Sequence, residues 1–174
     1  MLRELGAEVR EVRVPADLEG LDGLVLPGGE STTMTLGIAR EGLADPLRDR
    51  VAAGTPVLGT CAGHIMLDRD HLGSRDIVAR RNAFGRQVRS FESDLEVPGL
   101  DEPVHAVFIR APWIEEHGPG VEVLARIDDH PVAVREGQVL LCAFHPELTD
   151  DSRVHALLMA MATTARAQQE ARST

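Results

Sequence analysis

The chain contains no lysine and no tyrosine. Its 18 basic residues are all arginine, and its aromatic side chains amount to four phenylalanines and one tryptophan in 174 residues. Acidic residues outnumber basic ones, for a formal net charge of −10, so the basic surface that nucleic acid or an anionic membrane requires is missing and neither is an expected partner. With two cysteines, Cys61 and Cys142, there is no disulfide framework, and their separation has no metal-ligand spacing. The expected compartment is therefore a reducing cytoplasm. No apolar run approaches the roughly 20 residues of a membrane helix, and no basic-then-apolar segment has the pattern of a secretory leader.

What is present reads as one domain over residues 1–174, with a polar tail from about residue 165 and no internal repeats. Short Val/Leu/Ile-rich runs bounded by Gly or Pro predict buried strands over residues 21–26, 56–59, 104–109 and 139–144. Longer periodic stretches predict helices over residues 32–40 with Ser31 as cap, 43–53 with Gly54 as stop, and 61 to about 70. A last helix opens at Ser152 and carries Val154, Leu157, Leu158 and Met161 on one apolar face. Residues 135–138 suggest a hairpin turn. Strand and helix alternate in the first half, which predicts an α/β fold with a mostly parallel central sheet flanked by helices, and antiparallel strands follow in the second half. Met1, Leu2 and Leu5 have the spacing of the final turns of an amphipathic helix closed by Gly6.

Three segments carry chemistry. In Gly59-Thr60-Cys61-Ala62-Gly63 an apolar strand runs through Gly-x-Cys-x-Gly into a helical pattern, the arrangement of a nucleophile elbow with cysteine in place of serine. Glycines two residues either side leave room for a strained turn. A helix N-terminus favours a thiolate, and the Ala62 amide points where an oxyanion would form. In Phe144-His145-Pro146-Glu147 a strand delivers an imidazole to its C-terminal end, where ligand sites of open α/β sheets gather, with a carboxylate two residues on to orient it. In Leu26-Pro27-Gly28-Gly29-Glu30-Ser31 paired glycines let backbone amides approach a ligand and offer a second oxyanion donor. No lysine follows, so this is not a Walker-type phosphate cradle. Each segment alone suits a buried cysteine, a loop histidine or a plain turn; their order, Cys then His then acid, is what favours catalysis.

Five segments now occur in one order: Leu26-Pro-Gly-Gly-Glu-Ser-Thr-Thr33, Gly59-Thr-Cys-Ala-Gly63, Arg81-Asn-Ala-Phe-Gly-Arg-Gln87, Phe108-Ile-Arg-Ala-Pro112 and Phe144-His-Pro-Glu-Leu-Thr149. This set resembles the glutaminase subunits of pyridoxal 5′-phosphate synthases, a branch of the class I (triad) glutamine amidotransferases, over about residues 5–161. The resemblance implies a flavodoxin-like fold. It implies hydrolysis of L-glutamine to L-glutamate and ammonia by Cys61 as nucleophile, His145 as general base and acid, and Glu147 orienting it. Gly29, Glu30 and Ser31 would line the glutamine pocket, with Arg81 and the Ile109–Arg110 backbone opposite, and Gly29 and Ala62 would be the oxyanion donors. The implied partner is a synthase subunit that combines the ammonia with a pentose phosphate and a triose phosphate, and on which similar subunits become active. The resemblance implies neither metal nor cofactor. Physical chemistry agrees with such a pocket, since an amino acid carries a carboxylate and an ammonium and needs donors for one and acceptors for the other.

The resemblance also marks departures. Members of the branch begin with an interior strand and a Gln-Gly loop ahead of the helix whose end is at Gly6. Without that strand the segment from about Glu8 to Val14 is expected to be poorly anchored, and the chain as written to fold poorly or show little activity. The stretch 68–77 is short, and His64 stands where an apolar residue is usual. Cys142 is expected to be an inert core residue. Two other readings remain: a truncated, non-catalytic partner of the synthase, and a related γ-glutamyl hydrolase.

Overall fold

The structure, a computed structural model, describes residues 1–85 and 90–172. Its frame is a five-stranded sheet in the order β1-β2-β9-β8-β7, formed by β1 (Leu24–Leu26), β2 (Val57–Thr60), β7 (Glu122–Ile127), β8 (His130–Glu136) and β9 (Val139–Cys142). The ladders β1-β2 and β2-β9 are parallel; β9-β8 and β8-β7 are antiparallel. The fold is thus α/β with a mixed sheet, and the second half supplies the antiparallel strands. Helices α1 (Ser31–Arg40), α2 (Ala44–Ala52), α3 (Ala62–Met66) and α4 (Arg153–Arg172) flank it. Two antiparallel pairs complete it: β3 (Ile77–Arg80) with β6 (Trp113–His117), and β4 (Ser90–Leu95) with β5 (Val104–Ile109). No helix among the described residues is long and apolar enough to cross a membrane.

Strand alternation divides the core. On one face Val57, Val139 and Leu141 pack with Leu47 and Val51 of α2, Ile65 and Met66 of α3, and Ile77 and Ile114. On the other, Leu58, Leu140 and Cys142 pack with Val104 and Phe108 of β5 and with Val154 and Leu158 of α4. Period-two side-chain direction in strands buried on both faces produces this division. Leu157 and Met161 pack against the same cluster, so the apolar face read for α4 is the one in use.

Local departures from the sequence reading have identifiable causes. The Ser31 cap is corrected: Glu30 caps α1, its carboxylate accepting from the Thr32 and Thr33 amides at 3.0 and 2.7 Å, while Ser31 is its buried first residue. The helix expected from residue 61 to about 70 stops at Met66. Beyond it the buried Asp68 carboxylate accepts from the Asp70, His71 and Ala79 amides and contacts the His71 ring, which turns the chain back. β1 occupies only residues 24–26 of the expected run. Residues 7–13 form no ladder, and the outer edge of β1 pairs with no strand among the described residues. The turn at Gly6 is a complete helix-ending motif, with Ala7 N–H to the Leu2 carbonyl and Gly6 N–H to the Arg3 carbonyl, both 3.0 Å, and φ +90° at Gly6.

Candidate active site

β2 and β9 are parallel neighbours, with Thr60 opposite Cys142, so both strands end at one rim of the sheet. The Cys61 amide extends the ladder by donating to the Cys142 carbonyl at 2.8 Å. The chain then reverses into α3 with Cys61 at φ 46°, ψ −105°, a conformation that non-glycine residues rarely adopt and that proteins retain where function over-determines it. The flanking glycines are required by contact. A Cβ on Gly63 would lie 1.8 Å from the Leu26 carbonyl oxygen, and one on Gly59 would lie 2.9 Å from Leu141 Cδ2 and 3.0 Å from the Gly63 oxygen. The elbow is therefore pressed against β1, and its sulfur projects over the rim.

His145 arrives three residues past the end of β9, with its amide donating to the Val107 carbonyl of β5 at 2.9 Å. Its Nδ1 lies 2.8 Å from Glu147 Oε1, and its ring also hydrogen-bonds to the Cys61 side chain. These two bonds, the Cys61 one foremost, push the His145 pKa up to about 10 against the opposing effect of half burial. At Glu147 burial acts to raise the pKa, but the bond from His145 and backbone donation bring the net shift below the ordinary carboxylate value. Cys142 is fully buried, which pushes its thiol up to about 12 and keeps it out of the chemistry.

The glycine loop closes the third side. Gly28 lies under the imidazole, since a Cβ there would sit 2.4 Å from His145 Cε1 and 3.4 Å from the Cys61 Cβ. Gly29 follows at φ +153°. Ala62 opens α3, and the first amides of a helix have no acceptor within it. Across the rim, the Arg81 guanidinium reaches Glu30 Oε1 at 3.5 Å and Thr32 Oγ1 at 3.4 Å. Glu30, which the α1 amides hold at a pKa of about 2, presents an anionic carboxylate to Arg81. The Ala83 amide donates to the Ala111 carbonyl at 3.0 Å, so the Arg81 turn is tied to the chain just after Ile109 and Arg110. Four non-glycine residues have positive φ among the described residues, and three of them, Cys61, Asn82 and Arg110, lie in these segments. Arg86 and Gln87, the end of the Arg-Asn-x-Phe-Gly-Arg-Gln segment, lie outside the described residues.

Cys61, His145 and Glu147 are thus brought together, and Glu30 is joined to Arg81, while Ser31, Ile109 and Arg110 flank these segments in the chain. Two contributors were missed. Gly28 supports the histidine, and its signal was the Pro-Gly-Gly run itself. His155, on the first turn of α4, interacts electrostatically with Glu147 and carries a buried Nδ1 without a partner among the described residues; nothing in its local sequence announces it.

The chain is 56% identical to pyridoxal 5′-phosphate synthase subunit PdxT of Mycolicibacterium vanbaalenii, over 91% of this chain and 88% of that one. It is 58% identical to the protein of the same name in a Parafrankia strain, over 91% and 83%. Among solved structures, a crystal structure of a glutamine amidotransferase superposes with a TM-score of 0.87 at 49% identity, covering 93% of this chain and 90% of the other. The structure of PurLQS from Thermotoga maritima, at 18% identity and TM-score 0.61 over 85% and 81%, shares the fold. The family model of the SNO glutamine amidotransferases matches residues 1–164, and the chain belongs to that family.

Proposed function

We propose that the chain is the glutaminase subunit of a pyridoxal 5′-phosphate synthase, hydrolysing L-glutamine through Cys61, His145 and Glu147 and passing the ammonia to a synthase subunit. The observation that carries this reading is the continuous arrangement of Cys61, His145 and Glu147 at the rim where two parallel strands end. The names borne by relatives at 51–58% identity support the synthase context.

The geometry suits acyl transfer in two halves. The Cys61 thiolate attacks the side-chain carbonyl carbon of glutamine, with the amides of Gly29 and Ala62 receiving the developing oxyanion. Imidazolium His145, its pKa raised by its interactions with Cys61 and Glu147, gives its proton to the departing nitrogen, which leaves as ammonia and a Cys61 thioester remains. Neutral His145 then takes a proton from water. The hydroxide oxygen bonds to the thioester carbon, the C–S bond breaks, and glutamate and the thiolate–imidazolium pair are regenerated. Glu147 holds the ring through both halves. Gly29, Glu30 and Ser31 on one side and Arg81, Ile109 and Arg110 on the other bracket the amino-acid end of the substrate.

The test is glutamate release from glutamine by the chain mixed with a synthase subunit, compared with the Cys61→Ala variant. Turnover that needs the partner and vanishes in the variant is expected. Failure of a glutamine-directed affinity label to modify Cys61 in the complex would make the chain a non-catalytic binding partner. Partner-independent cleavage of poly-γ-glutamyl substrates would make it a γ-glutamyl hydrolase.

A further inference from the structure

Four phenylalanines and one tryptophan are the whole aromatic complement of the chain, and all five lie in one connected set. Phe84 meets Trp113, Phe91 and Phe108 edge-on, with ring centroids 5.3, 4.9 and 5.8 Å apart. Phe91 stacks on Phe108 at 4.5 Å, and Phe108 meets Phe144 edge-on at 5.7 Å. Each of three members is next to a candidate site segment in the chain. Phe84 closes the turn that begins at Arg81, Phe108 precedes Ile109 and Arg110, and Phe144 precedes His145. Phe108 and Phe144 are almost wholly buried, and the Phe84 turn is attached to the same strand end by the Ala83–Ala111 bond.

Edge-to-face pairs and a stack fix ring angles as well as distances, so a chain of them resists sliding more than aliphatic packing does. Among the described residues Arg81 contacts Glu30 and Thr32 at 3.5 and 3.4 Å, and both it and Glu30 are largely exposed, so these contacts alone hold the guanidinium loosely. The aromatic set is therefore a rigid connection from the Arg81 turn to the site, beside the Ala83–Ala111 backbone bond. We propose that Phe84 is a positioning residue: through Phe108 and Phe144 it holds the Arg81 turn in register with His145, so that the groups binding the amino-acid end of glutamine and the group moving the proton keep a fixed separation. This rests on the glutaminase reading. At its outer end the set terminates in Trp113, whose ring stacks on His130 at 3.5 Å and 4°, so occupancy of the Arg81 turn is transmitted to the single tryptophan.

Two measurements test this in the complex with the synthase subunit. Phe84→Ala should raise KM for glutamine about five-fold or more and lower kcat as well, because a loosened Arg81 turn both weakens binding and misplaces the carboxamide relative to His145; Phe84→Leu should restore part of both losses. A merely structural role would lower Tm and the active fraction while leaving KM in place. In the second measurement the Cys61→Ala chain, labelled with 5-fluorotryptophan and bound to unlabelled synthase, is titrated with glutamine. A saturable fluorine shift from Trp113 is expected, and Phe84→Ala should abolish it at glutamine concentrations that calorimetry shows to be saturating. If Phe84→Ala does not fold, Phe84→Leu carries both comparisons. An active wild-type complex in which the variants keep KM and the Trp113 response overturns the positioning role alone. A wild-type complex that neither binds nor hydrolyses glutamine overturns the glutaminase reading and this one with it.

Discussion

At the scale of single residues, the site depends on an atom that is not there. Gly28 is not in the left-handed region, so its backbone would accept alanine, yet the new Cβ would overlap His145 Cε1 at 2.4 Å. Gly28→Ala should displace the imidazole by about an ångström and lower kcat/KM by about a hundred-fold or more, with circular dichroism unchanged. An activity within three-fold of wild type, about the scatter of such assays, would mean the ring does not work from the observed position. Glu147→Gln probes the other side of the same ring. It keeps the shape of the acid and removes its charge, so the bond at His145 Nδ1 becomes a neutral one and lifts the ring less. kcat should fall by roughly 10²- to 10⁴-fold, and the alkaline limb of the pH–rate profile should move to lower pH. An alkaline limb that stays in place would assign it to another group.

At the scale of elements, the elbow is where chemistry and stability meet. In Gly63→Ala the inserted Cβ would be 1.8 Å from a backbone oxygen and 2.5 Å from its carbon, and neither can rotate away. The variant should lose about 3 kcal/mol or more of stability, read as a lowered denaturant midpoint, as well as its activity, whereas Gly28→Ala should lose activity alone. This elbow was legible in the sequence because strand, glycine spacing and nucleophile are local to five residues. The β5 strand was legible to the residue, and the α2 stop at Gly54 closes as expected, with φ +83° and the Thr55 amide on the Arg50 carbonyl. The α1 cap was misread because Ser ranks above Glu as a cap on average, while here the longer carboxylate reaches two amides and Arg81 together. The over-long third helix has the same origin. Its periodicity continues past Met66, but the Asp68 carboxylate collects the amides that a helix would have used. Long-range partners such as His155 for Glu147 leave no trace in the local pattern.

At the scale of the whole molecule, the sequence pattern implied antiparallel strands in the second half but not their order in the central sheet, whose partners are set by tertiary pairing. Nor did the pattern reveal how completely His64 is enclosed. It is 0% exposed, neither ring nitrogen has a hydrogen-bond partner among the described residues, and burial lowers its pKa to about 4. Between that value and the ordinary 6.5 the unfolded chain binds a proton here and the folded chain does not. Stability therefore declines as pH falls through this window, by up to about 3 kcal/mol in full. His145 acts in the opposite sense: its raised pKa stabilises the fold below about 6.5, and that contribution is lost as pH climbs towards 10. His64→Leu removes the unpaired buried nitrogens as well as the titration, and should raise stability at pH 7.5 by about 1 to 3 kcal/mol. It should raise it further at pH 5, so that the gap between urea midpoints at pH 5 and pH 7.5 narrows. The 28 carboxylates titrate alike in both proteins, so the difference between the two gaps isolates His64. Equal gaps in wild type and variant would mean that the ring takes its proton inside the fold.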